Sequence, residues 1–340
     1  VTADLSEFRE AQAEEDTKAA LRRALRQLAQ AKAKTEDLVD AVYRAVRDAQ
    51  VADPAKPVPS PKADHHKGKP EVAVWHLTDW QGAKVTPSYN SDVMRKRVAH
   101  FMDSAERITD IQRANHPVKS CHVLFGGDMV EGLFQFATQP FEIDATLFQQ
   151  WIQTSNLLAE VVRRALTIYE NVTIVDEWGN HGRIGSKRDA VPRSDNIDRM
   201  CYATARLIVG TQPRLTWTEP SGEDIQRVEI GNYRALLLHG DETGRHGYVS
   251  QTTFLSYLNR LKAGAYHWAF RDAYTGHYHT HDERAMADGD GAWYQTGSTE
   301  SDNRYARDGL GSAAQPSQRL HFIDPERGRV TAQYKVWLDG

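Results

Sequence analysis

Residues 121–128, Cys121-His122-Val123-Leu124-Phe125-Gly126-Gly127-Asp128, form a short apolar run that stops on two glycines and an acid. The same pattern recurs along the chain. Val72-Ala73-Val74-Trp75 ends at Thr78-Asp79, and Val172-Thr173-Ile174-Val175 leads to Gly179-Asn180-His181. Tyr233-Arg234-Ala235-Leu236-Leu237-Leu238 ends at His239-Gly240-Asp241, and Ala273-Tyr274-Thr275 leads into Gly276-His277-Tyr278-His279. Short apolar runs closed by turn residues read as buried strands. Helical patterning lies between several of them, around residues 93–114, 146–169, 195–208 and 250–262. Alternating strand and helix implies an α/β domain with much of its sheet covered. Further strand-like runs at 225–230, 291–296, 319–323 and 329–337 predict a second sheet.

Outward from this core the composition changes. Residues 1–50 hold no Gly and no Pro and are rich in Ala, Glu, Lys, Arg and Leu. They predict a helical arm, with Leu21, Leu25 and Leu28 on one stripe and Val39, Val42 and Val46 continuing it. Two uses stay open: a coiled coil that joins a second copy or a protein partner, or an amphipathic helix packed on its own domain. Residues 51–70 contain Pro54, Pro57, Pro59, Pro61 and Pro70 and read as a Pro-rich linker, which leaves 71–340 as the main domain.

The chain has 340 residues and a formal net charge of −4, from 42 Lys+Arg against 46 Asp+Glu. That balance excludes wholesale electrostatic capture of nucleic acid, but not a local basic patch. No apolar run approaches the length of a membrane span, so no membrane partner is expected. Val1-Thr2-Ala3-Asp4 shows neither a basic nor an apolar leader region. Two cysteines, Cys121 and Cys201, cannot make a disulfide framework. A reducing cytoplasm is the expected compartment.

Each of the five strand ends presents Asp, Asn or His. Ligands gather beyond the carboxyl ends of strands in open α/β sheets. A single such end is an ordinary turn. Five together, with nitrogen and oxygen donors and no Cys, point to divalent metal of borderline-hard character.

The order of these motifs resembles the calcineurin-like metallophosphoesterases, which read D-x-H, G-D, G-N-H, a lone H, then G-H-x-H. Here the elements are Asp79-Trp80-Gln81, Gly127-Asp128, Gly179-Asn180-His181, His239 and Gly276-His277-Tyr278-His279, spread over residues 71 to 300. The resemblance implies a metallophosphoesterase-like two-sheet sandwich flanked by helices. It also implies two divalent metal ions, with manganese first and magnesium, iron, nickel or zinc as alternatives. Asp79 and His279 would hold the first ion, Asp128 would bridge, and Asn180, His239 and His277 would complete the second. Gln81 stands where the family has His. Its carbonyl oxygen is a weaker donor than imidazole, which favours manganese or magnesium there and predicts weaker retention of the first ion.

The same resemblance implies the chemistry. A hydroxide bridging the two metals attacks phosphorus in line, and His181 serves as general acid to the leaving oxygen. Arg183 is the expected substrate contact, with Lys187 and Arg188 behind it. Glu131 and Asp241 are candidates to orient ligand histidines. Trp80 and Tyr278 are candidates to stack on a base, against a simple packing role. Gly182-Arg183 and the segment from Gly297-Ser298 to Tyr305 resemble phage-encoded members of the superfamily, which implies a bacterial host cytoplasm. The leading expectation is a nuclease, a phosphodiesterase acting on DNA or RNA. The alternatives are a phosphomonoesterase or small-nucleotide phosphodiesterase, and a non-catalytic scaffold that lost activity through Gln81.

Overall fold

The computed structural model describes residue 44 and residues 55–185, 193–218, 224–243, 249–302 and 315–339. All but Arg44 lie in one unit, Ala55–Gly340. The helical arm and its coiled-coil reading fall outside the described residues. So do Lys187, Arg188 and most of the segment from Asp302 to Tyr305.

The strands are β1 (Glu71–Leu77), β2 (Val118–Phe125), β3 (Asn171–Asp176), β4 (Leu215–Trp217), β5 (Gln226–Ile230), β6 (Tyr233–Leu237), β7 (Asp272–Thr275), β8 (Asp282–Ala285), β9 (Ala292–Gln295), β10 (Ser317–Asp324) and β11 (Arg329–Trp337). The helices are α1 (Ser91–Arg113), α2 (Leu147–Ile168), α3 (Ile197–Val209) and α4 (Gln251–Arg260). Each helix begins at a side chain that satisfies an orphan N–H. The Asn90 Oδ1 accepts from the Val93 N–H at 2.9 Å, and the Asn196 Oδ1 accepts from the Asp198 N–H at 2.9 Å. Thr146 forms a reciprocal capping box with Gln149, and Ser250 caps α4.

Two sheets result, in the orders β11-β10-β1-β2-β3-β4 and β5-β6-β7-β9-β8. This is the expected two-sheet α/β sandwich flanked by helices. Val74, Leu124 and Val175 from the first sheet meet Val228, Tyr233, Leu237 and Tyr274 from the second in one buried cluster. On the far side of the second sheet, Leu236, Ala273 and Trp293 pack against Phe254 and Leu258 of α4. The first sheet is covered by α1 and α2, with Phe101 of α1 edge-on to Trp75 at 5.6 Å.

Sheet membership departs from the sequence expectation. The runs at 319–323 and 329–337 join the first sheet, where β10 lies antiparallel to β1. Tyr233–Leu237 and Asp272–Thr275 belong to the second. Both partners are apolar in either arrangement, so hydrophobic pattern cannot choose between them. Strands β4 and β8 were not expected. The first is three residues long, and the second, Asp-Glu-Arg-Ala, is a charged edge strand. The Pro-rich stretch has neither helix nor strand over residues 55–69, yet it is docked on the domain. The Val58 N–H donates to Gln212 at 2.8 Å, and the Asp64 carboxylate accepts from the Val118 N–H at 2.8 Å. Among the described residues no helix is long and apolar enough to cross a membrane.

Parallel pairing sets the level of the strand ends. Leu77 pairs with Phe125 and Phe125 with Asp176, so β1, β2 and β3 finish together. β6 and β7 are also parallel. Beneath this edge, the Tyr169 hydroxyl accepts from the Trp75 indole N–H at 3.1 Å and bonds Thr109 at 2.6 Å. Tyr169→Phe would strand a buried indole N–H. It is expected to cost about 1–3 kcal/mol, read as a lower urea midpoint; an unchanged midpoint would contradict this role.

Candidate metal centre

The loops after these five strands carry the expected ligands. Asp79, Gln81, Asp128, His277 and His279 all have positive φ, between 50° and 64°. Non-glycine residues held in this region are costly, and such strain clusters at functional sites. Cross-loop bonds fix them: the Asp79 N–H donates to Gly127 O, and the Gln81 N–H to Asp128 O, both at 2.9 Å. The glycines of the motifs have a steric reason. A Cβ on Gly276 would lie 2.0 Å from Asp79 Oδ2, and one on Gly179 would lie 2.1 Å from Asp128 Oδ1. Only glycine lets these backbones approach the carboxylates.

The side chains converge in two groups. Asp128, His239 and His277 each offer a ligand atom, and those atoms lie within 4.8 Å of one another. Asn180 Oδ1 is 3.2 Å from His239 Nε2. In the other group, His279 Nε2 is 3.2 Å from Asp79 Oδ1 and 3.3 Å from Gln81 Nε2. Asp128 Oδ2 touches both, at 3.0 Å from His239 Nε2 and 3.5 Å from Gln81 Nε2. Asp79, Gln81, Asp128, Asn180 and His239 are buried, while His277 and His279 are partly exposed, the His279 side chain by 20%.

A divalent cation fits this donor set. Asp79 and Asp128 are buried carboxylates with no Lys or Arg paired to them among the described residues, and Gln81 Oε1 is buried without a hydrogen-bond partner. A half-turn of that amide would place its oxygen between Asp128 and His279. His76, three residues before Asp79, is held by Thr296, which its Nδ1 meets at 2.7 Å.

Electrostatics bind the groups in pairs. Burial alone would raise the Asp128 pKa, but His239 and then His181 hold it well below the usual carboxylate range. Burial opposes charge on His239, yet Asp128 lifts it well above the ordinary imidazole value. Burial opposes charge on His279 too, and hydrogen bonds to Asp79 and Glu300 raise it to about 10. For His277, burial and then the His239 charge lower the pKa to about 4.

His181 stands beside the ligands. Its N–H donates to Asp128 Oδ1 at 2.7 Å, and its ring Nε2 is 3.8 Å from Asp128 Oδ2. The other ring nitrogen, Nδ1, lies 3.1 Å from Glu131 Oε2. Glu131 is fully buried and paired with Lys84 at 3.0 Å. The expected orienting role of Glu131 therefore falls on His181. Asp241 does otherwise: its carboxylate takes Arg183 and Arg193, and these hold its pKa at about 2 against the effect of burial. Arg183 is thus fixed by an acid beside the site, with its Nε buried and unpartnered.

Three contacts were not assigned from the sequence. Glu300 backs His279, with its Oε2 3.3 Å from Nδ1. Asp198 is fully buried and accepts from the N–H groups of Asp128 at 2.8 Å, Met129 at 3.1 Å, Val130 at 3.3 Å and Gly179 at 2.9 Å. Phe136 lies with its ring centre 5.0 Å from that of His181. Trp80 and Tyr278 are corrected to packing residues. Trp80 is buried edge-on to Phe125 at 6.2 Å, and Tyr278 is buried against Phe254 and Trp293. Cys121 and Cys201 are buried, and burial pushes both thiols up, as inert core positions require.

No protein-family model matches the chain, and no curated protein does. Solved structures show distant likeness. The Zn2+ complex of Vps29 from Entamoeba histolytica is 13% identical with a TM-score of 0.36, over 78% of this chain and 99% of that one. A conserved predicted phosphoesterase from Streptococcus pneumoniae is 10% identical at 0.29, over 79% and 99%. The sulfate thiohydrolase SoxB of Thermus thermophilus is 7% identical at 0.35, over 82% and 58%. Scores this low assign neither family nor activity.

The raised histidines predict how a cation binds. His239 and His279 are protonated at pH 7 before it arrives, and His277 is already neutral. Coordination needs their lone pairs, so binding releases about two protons. Affinity then rises with pH, up to the His279 value of about 10. Calorimetric titration with Mn2+ in buffers of different ionisation enthalpy measures the release; heats independent of buffer would contradict it.

Proposed function

We propose that the chain is a dinuclear-metal-dependent phosphoester hydrolase of the metallophosphoesterase type, acting as a nuclease on DNA or RNA. The observation that carries this reading is Asp128. Its buried carboxylate lies in contact range of His239 on one side and Gln81 on the other, while its Oδ1 holds the His181 backbone. Asp79, Gln81 and His279 would hold one ion, and Asn180, His239 and His277 the other, with Asp128 shared. Two divalent ions held there supply charge to phosphate oxygens and lower the pKa of a water nucleophile. Manganese suits the mixed imidazole, carboxylate and amide donors.

The chain's own groups handle the leaving oxygen. Glu131 holds His181 Nδ1, which leaves Nε2 facing the Asp128 side. Burial opposes charge on His181, but Asp128 and Glu131 raise its pKa above the ordinary value. In the proposed role this imidazole donates its proton from Nε2. Arg183, anchored by Asp241, is the proposed phosphate contact.

The test is Mn2+-loaded protein offered single-stranded DNA, duplex DNA, RNA, and one chromogenic diester and monoester, beside Asp128→Asn. Polynucleotide cleavage lost in that variant is expected. Activity on small esters alone would move the assignment to a phosphomonoesterase or small-nucleotide phosphodiesterase. No activity with any divalent ion would leave the scaffold reading.

His181→Ala should keep metal content and lose about 10²–10⁴-fold turnover on poor leaving groups. Activated esters should lose much less. Equal loss on both classes would contradict a general acid.

A further inference from the structure

Among the described residues, Phe136 is an exposed aromatic ring that packs against His181. It is 37% exposed, while Trp80 and Tyr278, the aromatics inside the metal motifs, are buried. Its ring centre is 5.0 Å from that of His181, with the planes inclined at 52°.

The ring is held in place by its own loop. Gln139 is fully buried, and its Oε1 accepts from the Gln135 N–H at 2.9 Å and the Phe136 N–H at 3.1 Å. Its Nε2 donates to the Glu131 carbonyl and lies 3.4 Å from His181 Nδ1. The Gln135 amide donates to Gly185 O. At the root of the loop Gly132 has φ +75°, and a Cβ there would meet the His181 carbonyl oxygen at 2.1 Å. One buried glutamine thus fixes both the backbone that presents Phe136 and the surroundings of His181. Phe134, two residues earlier, is 42% exposed.

An exposed phenylalanine alone is ordinary. Here it is anchored against the imidazole that meets the leaving oxygen. In a polynucleotide that oxygen belongs to a nucleoside, whose base lies one sugar away. The chain's net charge of −4 supplies no general attraction for a polyanion. Uncharged stacking supplies binding without it, and it needs an open base face. In a duplex both faces are covered by neighbouring pairs.

We propose that Phe136 is a base-stacking subsite beside His181, and that the substrate is single-stranded nucleic acid whose base at the scissile phosphate lies on that ring. The proposal rests on the phosphodiesterase reading above.

The test compares a single-stranded oligonucleotide with one abasic on the leaving side of the cut, and adds methyl p-nitrophenyl phosphate as a diester without a base. Removing the base is expected to lower kcat/KM of the wild-type protein roughly 5- to 150-fold, the range of one stacked base. In Phe136→Leu that ratio should fall close to one. A readout apart from turnover is 2-aminopurine placed at the same position in the oligonucleotide. The Ca2+-loaded wild-type chain should quench its fluorescence, and Phe136→Leu should not. Hydrolysis of the small diester with equal cleavage of intact and abasic strands would overturn the subsite and leave the phosphodiesterase standing. Duplex cut as fast as single strand would also overturn it. Failure on the small diester and both oligonucleotides would instead remove the underlying reading.

Discussion

The carboxylate of Asp198 is the interaction on which the candidate centre depends. It gathers N–H groups from the loop after β2, at Asp128, Met129 and Val130, and from the loop after β3, at Gly179. A buried anion is costly alone, and charge-assisted bonds to four backbone donors offset that cost. Its place in the first turn of α3 adds the favourable end of the helix dipole. Burial and the nearby Asp128 charge still raise its pKa to about 6. Asn196 completes the clamp: its Oδ1 caps α3 and its Nδ2 donates to Gly179 O at 2.8 Å. Asp128 and Asn180 therefore take their positions from a helix that contributes no ligand.

Around that clamp, charge is arranged in layers. Asp79 and Asp128 occupy the middle, with His239, His277 and His279 against them. Outside these lie the carboxylates that hold backbone or imidazole in place. Glu300 backs His279, Glu131 backs His181, and Glu242 accepts from the His239 N–H at 2.7 Å. Cations close the outermost layer, with Lys84 on Glu131 and with Arg183 and Arg193 on Asp241. The alternation lets acids sit in a dry interior without mutual repulsion dominating. It also sets the difference between His181, whose pKa is raised, and His277, whose pKa is lowered to about 4.

Much of this was legible from the chain. Apolar runs ending in Gly with Asp, Asn or His are local patterns, and they located β1, β2, β3, β6 and β7; the seven candidate ligand positions came from the order of the motifs, and the fold brings their side chains into two neighbouring groups. Glu131 was signalled by its place three residues after Asp128. Asp198 was not, because an acid within 193–199 resembles any solvated charge until α3 turns it inward. Trp80 and Tyr278 sit between candidate ligands in sequence, but the loop backbone, with positive φ at both flanking residues, turns their rings into the core. Phe136 carried no signal, since its position depends on Gln139 folding back to it. The placement of β10 beside β1, with β11 outside it, is a long-range choice that no local pattern encodes.

The central claim is that Asp128 is shared between two cation positions. Anomalous scattering from crystals soaked in Mn2+ tests it directly. Two peaks about 3.5–4 Å apart are predicted on either side of Asp128, one by Asp79, Gln81 and His279, the other by Asn180, His239 and His277. A single peak, or peaks that leave Asp128 uncoordinated, would contradict the account.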